Sequence, residues 1–194
     1  MKIKDVRFLK SASKIIDFPE FTYPEFAFFG RSNTGKSSLI NMITGRKSLV
    51  KTGSKPGVTK LVNFFLINDS ISIADMPGFG YAELPKNIKN KFLPLINDYI
   101  KNRNNLKLTF LLVDIRRTPG DIERDIVTLL ADKEKPVAII ATKCDKLSKS
   151  QRKMNAAKIA KEFDIDTDSV FFSSSKTSEG KREIHKLIEE YSIM

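Results

Sequence analysis

The sequence predicts a three-layer α/β fold: a mostly parallel, six-stranded sheet with one antiparallel strand, covered by helices on both faces. Three observations carry this expectation. Short apolar runs rich in β-branched and aromatic residues alternate with longer helical patterns almost throughout the chain. Where two such runs adjoin, at 61–67 and 71–74, only Asn68-Asp69-Ser70 separates them, a tight-turn pattern that implies an antiparallel hairpin. Finally, the run Phe26-Ala27-Phe28-Phe29 leads through a glycine-bounded loop into the helix-like Ser38-Leu39-Ile40-Asn41.

Taken in order, residues 1–24 mix a short apolar stretch with Pro19, Pro24 and aromatics, and read as an ordered lead-in packed on the domain. The first strand, 26–29, ends at Gly30. The helix after the glycine loop is expected to stop near Gly45, a natural C-cap residue. A basic, glycine-containing loop follows over 46–60, long enough to suspect a functional role. After the hairpin come strands at 108–113, 137–141 and 170–172, separated by helical patterns at 84–102, 121–132, 150–163 and 179–191. Sheets of this kind bind ligands at the carboxyl ends of their strands.

Composition narrows the function. The 194 residues suit one well-buried domain. No apolar run approaches the ~20 residues that span a bilayer, and Met1-Lys2-Ile3-Lys4-Asp5 lacks the apolar core of a signal peptide, so a cytoplasmic protein with no transmembrane segment is expected. A single cysteine, Cys144, and a single histidine, His185, leave no disulfide framework and no transition-metal cluster; a metal would need oxygen ligands. His185 falls in the last helical pattern and reads as a surface residue. The formal net charge of +11 favours a polyanionic partner, RNA or a ribonucleoprotein rather than DNA. Basic residues cluster as Lys86, Lys89, Lys91, Lys101, Arg103 and Lys107, and again as Lys149, Arg152, Lys153, Lys158 and Lys161, which together would make a footprint for an RNA backbone.

The chemistry lies in five loops. Gly30-Arg31-Ser32-Asn33-Thr34-Gly35-Lys36-Ser37, with Ser38 after it, reads as a triphosphate cradle: backbone N–H groups turn inward and a helix N-terminus adds its dipole. Lys36 would reach the β- and γ-phosphates and Ser37 would offer its hydroxyl to Mg²⁺. Gly57-Val58-Thr59-Lys60-Leu61 places Thr59 as a second protein ligand for Mg²⁺. Asp75-Met76-Pro77-Gly78 follows directly on the run 71–74; Asp75 would hold the metal through water, and the Gly78 N–H would meet the γ-phosphate. Lys36, Thr59 and Gly78 are thus the candidate catalytic residues, and Ser37, Thr59 and Asp75 the candidate metal set. Thr142-Lys143-Cys144-Asp145 puts a carboxylate where guanine offers two donors and adenine offers none, with the Lys143 stem along the base. Threonine stands where asparagine usually does, keeping a hydroxyl and losing the amide. Cys144 reads as a small filler. Ser173-Ser174-Ser175-Lys176 is similar to the Ser-Ala-Lys loop that contacts the guanine carbonyl. Five such loops in this order describe a translation-factor-type GTPase, with the Ras-like phosphate-loop fold; an ATP-using kinase would have no role for 142–145.

With these residues placed, nearly the full chain resembles the EngB family, also called YihA or YsxC, of bacterial GTPases. Besides the nucleotide loops, the likeness rests on Phe8-Leu9-Lys10-Ser11-Ala12, Asn63-Phe64-Phe65, Met76-Pro77-Gly78-Phe79-Gly80-Tyr81-Ala82 and Leu112-Val113-Asp114-Ile115-Arg116. The resemblance implies a Mg²⁺-dependent, monomeric switch that hydrolyses GTP to GDP, acts in large ribosomal subunit assembly through ribosomal RNA, and is needed for normal division and septation. A rival reading is a nucleotide-gated binding module with incidental turnover. Phe79 occupies the position where a glutamine would orient the attacking water, so intrinsic hydrolysis is expected to be slow and to be accelerated from elsewhere. Asn33 matches the position that coordinates K⁺ in some relatives, and Arg116 and Arg117 are internal candidates for the accelerating group.

Overall fold

The structure, a computed structural model, describes residues 1–20, 22–50, 61–80 and 86–193. Its strands are β1 (Val6–Ala12), β2 (Glu25–Gly30), β3 (Val62–Ile67), β4 (Ile71–Asp75), β5 (Leu106–Asp114), β6 (Val137–Thr142) and β7 (Val170–Phe172). Its helices are α1 (Lys36–Thr44), α2 (Lys86–Asn102), α3 (Asp121–Asp132), α4 (Lys149–Phe163) and α5 (Lys181–Ser192). The strands form one sheet in the order β1-β3-β4-β2-β5-β6-β7. Only β3 runs against its neighbours, β1 and β4; β4, β2, β5, β6 and β7 pair in parallel.

The sheet has seven strands where the sequence predicts six. The additional strand comes from the lead-in: Val6 pairs with Ile67 and Ala12 with Val62, with a register shift between Phe8 and Lys10. That shift breaks the period-two pattern, and Arg7, Phe8 and Lys10 are exposed, as an edge strand allows. A strand that buries little and carries charge is poorly marked by hydrophobic alternation.

Alternation along the central strands sends side chains to two separate cores. Phe26 and Phe28 of β2, with Leu108, Phe110 and Leu112 of β5, face α1 (Leu39, Ile40, Ile43) and α5 (Ile184, Ile188). Ala27, Phe29, Leu111 and Val113 face the other way, onto α2 (Tyr99, Ile100), α3 (Ile126, Leu130) and α4 (Ala156, Ile159). Parallel strands covered on both faces need apolar residues at nearly every position, and every residue of β2 is buried. Helix ends follow local chemistry. Ser148 caps α4 in a box with Gln151, its N–H donating to Gln151 Oε1 at 3.0 Å, and Gly45 closes α1 in the left-handed region with φ 67°.

At the amino-terminal end of β2 a charge is buried. Glu25, fully inaccessible, accepts from Tyr99 Oη at 2.7 Å, Ser72 Oγ at 2.9 Å, Arg103 Nε at 2.8 Å and Arg103 Nη2 at 2.6 Å. Arg103 Nη1 donates to Pro19 O at 2.9 Å, and the guanidinium lies 5.5 Å from the Phe64 ring centre. Burial, then the Glu25 charge, hold the Tyr99 phenol well above its ordinary pKa, so it remains a donor. Arg103 therefore does not belong to the surface cluster in which the sequence places it: its guanidinium is needed to neutralise Glu25. His185 is likewise no plain surface residue. It is half-buried, and Nε2 donates to the carbonyl of Ile43 at 2.7 Å, tying α5 to the last turn of α1.

Candidate functional site

Four of the five loops, 30–38, 75–78, 142–145 and 173–176, gather at the carboxyl ends of β2, β4, β6 and β7, opposite the Glu25 cluster, and the residues that follow β5 join them there. Between Gly30 and Lys36 the chain turns with Asn33 at φ 64° and Gly35 at φ 103°. The latter conformation strains any residue with a Cβ, and it delivers the chain directly into α1. Thr34 N–H and Oγ1 both donate to Arg31 O, at 3.1 and 2.6 Å, closing the loop on itself. No side chain caps α1, so its first-turn N–H groups are left for a ligand, which suits a phosphate.

Beneath the loop, Lys36 Nζ donates to Asp75 Oδ1, and both side chains are almost buried at 10% and 5% exposure. Asn63 Nδ2 lies 3.4 Å from Asp75 Oδ2, and Ser11 Oγ donates to Asn63 Oδ1 at 2.6 Å. Ser37 stands beside Lys36 in the first turn of α1. Serine hydroxyl and aspartate carboxylate are the hard oxygen donors that Mg²⁺ takes, so these residues fit the metal. Gly57, Val58, Thr59 and Lys60 lie outside the described residues; Leu61 immediately precedes β3.

The segment after Asp75 presses on the phosphate loop. Ser32 N–H donates to Phe79 O at 2.8 Å, and Phe79 N–H to Gly30 O at 3.4 Å. A Cβ on Gly78 would sit 2.9 Å from Ser32 Oγ, so only glycine fits without displacement. The Phe79 ring is 2% exposed and packs in the α2–α3–α4 core, which removes it from any place where water could be oriented. Arg31 Nε lies 2.7 Å from Glu123 Oε1, an ion pair that misses hydrogen-bond direction, while Glu123 Oε2 accepts from Gly120 N–H at 3.1 Å.

The two arginines after β5 part company. Arg116 donates to both carboxylate oxygens of Asp114, at 2.9 and 2.7 Å, and Lys143 Nζ lies 3.1 Å from the same group. Burial alone would raise the Asp114 pKa; donation from Arg116 and then Lys143 outweighs it and brings it down to about 2. Arg116 is thus committed to Asp114, whereas the exposed Arg117 lines a cleft with Arg31, Ser32, Asn33 and Thr34.

On the base side, Thr142 Oγ1 donates to Thr34 O at 2.7 Å, so its hydroxyl joins this loop to the phosphate loop without an amide. Lys143 Nζ donates to Asn33 O at 2.5 Å. Asp145 Oδ1 accepts from Ser174 Oγ at 2.7 Å, and this bond foremost keeps the carboxylate below its ordinary pKa, hence ionised. Ser174 Oγ in turn is 3.3 Å from the N–H groups of Lys176 and Thr177. Cys144 is buried; desolvation, then Glu179, pushes its thiol up to about 12, as suits an inert filler. Arg152, assigned by the sequence to a basic footprint, instead donates to Glu179, as described below.

Sequence reasoning passes over Asn63, Glu123 and Glu179 as site residues. Each acts through a partner distant in the chain, and only the acid immediately before Gly180, close behind the serine loop, offers a local hint.

A phosphate loop entering α1, an aspartate ending β4 and a Thr-Lys-Cys-Asp loop ending β6 define the class: a P-loop GTPase. A family profile described as 50S ribosome-binding GTPase matches residues 25–143. The probable GTP-binding protein EngB of Desulforapulum autotrophicum is 46% identical over 181 residues, covering 93% of each chain. That of Fusobacterium nucleatum is 44% identical over 191 residues, covering 98% of each. A crystal structure of a probable GTP-binding protein EngB superposes with a TM-score of 0.72 at 25% identity, over 86% of this chain and 97% of the other. The chain belongs to the EngB family of GTP-binding proteins. It is a GTPase that binds guanine nucleotide, and among its described residues no helix is long and apolar enough to cross a membrane.

Proposed function

We propose that this protein is a Mg²⁺-dependent, cytoplasmic and monomeric GTPase switch that acts on the large ribosomal subunit during its assembly, and that division and septation depend on it. The observation that carries the switch is the backbone bridge between Phe79 and the phosphate loop, with Gly78 against Ser32: a γ-phosphate contacting Gly78 N–H would bear on the same few atoms that hold the segment from Asp75 onward.

Each residue has a role in this reading. The uncapped N–H groups at the start of α1, from Lys36 to Ser38, and the Lys36 ammonium bind the phosphates, with residues 30–35 of the loop cradling them and Lys36 turning from Asp75 to do so. Bound with the nucleotide, Mg²⁺ supplies charge neutralisation between the phosphate oxygens. Ser37, Asp75 and, outside the described residues, Thr59 hold it; Asn63 orients Asp75. Asp145 accepts from guanine, Lys143 covers the base, and the loop 173–176 meets the guanine carbonyl. With Phe79 in the core, its side chain orients no water. Hydrolysis is therefore slow until a partner, or K⁺ at Asn33, completes the site, with Arg117 the internal candidate.

The partner reading rests on charge and on the family profile's description as a 50S ribosome-binding GTPase. Lys149, Lys153, Lys158 and Lys161 are exposed along α4 and form no ion pair among the described residues. Four exposed, unpaired cations on one helix suit the phosphate backbone of ribosomal RNA. Co-sedimentation with purified large subunits tests it: binding should be stronger with a GTP analogue than with GDP and should fall steeply from low to moderate salt. Equal binding in both nucleotide states would remove the switch reading. Exchange of K⁺ for Na⁺ at constant ionic strength tests Asn33 separately.

A further inference from the structure

Glu179 lies where three elements meet beneath the base loops. Its backbone carbonyl accepts from Ser174 N–H at 3.1 Å and Ser173 Oγ at 3.3 Å, which holds the serine loop. Its carboxylate accepts from Cys144 Sγ at 3.2 Å, in the loop that carries Asp145. The same carboxylate takes Arg152 Nη1 at 3.0 and 3.1 Å, while Arg152 Nε donates to Leu147 O at 3.1 Å. The two loops are stitched further by Cys144 N–H to Ser173 O, at 3.2 Å, and by Ser174 Oγ to Asp145. Arg152 N–H bonds the Ser148 carbonyl, so this guanidinium stands near the start of α4, where the helix dipole disfavours a cation. A carboxylate beside it offsets that. At 21% exposure Arg152 is turned into the protein, unlike Lys149 and Lys153 beside it.

We propose that Arg152 and Glu179 are positioning residues for guanine recognition: together they clamp the Asp145 loop to the Ser174 loop, and so set how well Asp145 reads the two donors of the base. This rests on the reading of Asp145 as the guanine acceptor. The pair touches no nucleotide itself. Its effect passes through Cys144 and Leu147 on one side and through Ser173 and Ser174 on the other. Loosening the clamp therefore blurs the reading of the base edge while leaving the phosphate loop untouched.

The test compares dissociation of GDP with that of inosine diphosphate, which lacks the exocyclic amine, using the full-length protein. Arg152→Ala is expected to speed GDP release about tenfold, the scale of a lost charge-assisted bond, and to speed release of inosine diphosphate less, so that discrimination between the two narrows. Glu179→Gln should narrow it in the same direction, and Arg152→Lys, which keeps the charge, should restore part of it. A purely structural staple would shift both nucleotides by one factor; that result, or unchanged release rates, overturns the inference. Should Arg152→Ala fail to fold, Arg152→Lys and Glu179→Gln decide it by the same ratio. Asp145→Asn separates the two levels. If it leaves GDP affinity intact, the guanine assignment fails and takes the clamp with it. If it weakens GDP while the clamp variants do not narrow discrimination, the clamp alone is wrong.

Discussion

Two buried acid–base pairs stand at opposite ends of the sheet, and they are built differently. At the amino end of β2, Glu25 receives four donated hydrogen bonds, and Arg103 donates through Nη1 to Pro19 O as well. At the carboxyl end, Asp75 has Lys36 and a distant Asn63, and above them the start of α1 has no side-chain cap. A buried charge whose bonding is complete can only hold the fold together. One whose partner is a flexible ammonium, beside uncapped N–H groups, can exchange that partner for a phosphate. The six residues of β2 thus join a closed network to an open one.

The strongest way to break this comparison is to remove one charge from each pair. Arg103→Ala leaves Glu25 uncompensated in the interior and should cost about 3–5 kcal/mol in denaturant unfolding, while the fraction that stays folded binds GDP as before. Loss of GDP binding by that folded fraction would mean the lower network reaches the site. Lys36→Ala should do the reverse, weakening GDP and GTP by about a hundredfold or more in equilibrium titration, with a smaller loss of stability than Arg103→Ala. If the two variants destabilise equally, the open and closed distinction is wrong.

A third carboxylate sharpens the contrast by pH. Asp114, lowered to about 2 by Arg116 and Lys143 against its own burial, binds fewer protons folded than unfolded between pH ~4 and ~2. Its contribution is present above the ordinary carboxylate range and is lost as pH falls toward 2. With Arg116 half in solvent, about 1 kcal/mol is expected, and Asp114→Asn should flatten the acid limb of the stability curve by that amount. An unchanged limb would mean that the ion pair is absent in solution. The smallest effect belongs to His185. Burial, opposed by its bond to Ile43 O, keeps its pKa below the ordinary value. Stability from the neutral ring is therefore present above pH ~6.5 and declines as pH falls below it. His185→Gln should remove that decline in thermal melts between pH 5 and 7.5, by a few tenths of a kcal/mol; a decline that persists would assign it elsewhere.

Much of the candidate nucleotide site is legible in the sequence because each loop is a short run of adjacent residues. A glycine before Lys36-Ser37, an aspartate ending a strand and Asp145 three residues after Thr142 are local patterns, and the structure brings them to one rim of the sheet. What escapes is the partnership of charges. Arg103 and Arg152 look alike from their neighbours, as two basic residues in lysine-rich stretches, yet each is held by a glutamate far along the chain, 78 and 27 positions away. Arg116 and Arg117 are adjacent, and whether one pairs with a carboxylate while the other lines the cleft beside the phosphate loop depends on where Asp114 points. The seventh strand was hidden for a related reason: β1 is defined by its pairing with β3, not by its own alternation.

By itself the sequence determines the alternation of strand and helix, the order of the five loops and the family, since these follow from periodicities and motifs within a few residues. The tertiary structure alone decides which charges face water and which are consumed inside, and which loop the Thr142 hydroxyl ties to its own. The physical reason is that burial and hydrogen bonding are properties of pairs brought together by folding. A hydroxyl joins the two loops only because Thr34 O stands 2.7 Å away, and an arginine becomes part of the fold only because a buried carboxylate requires it.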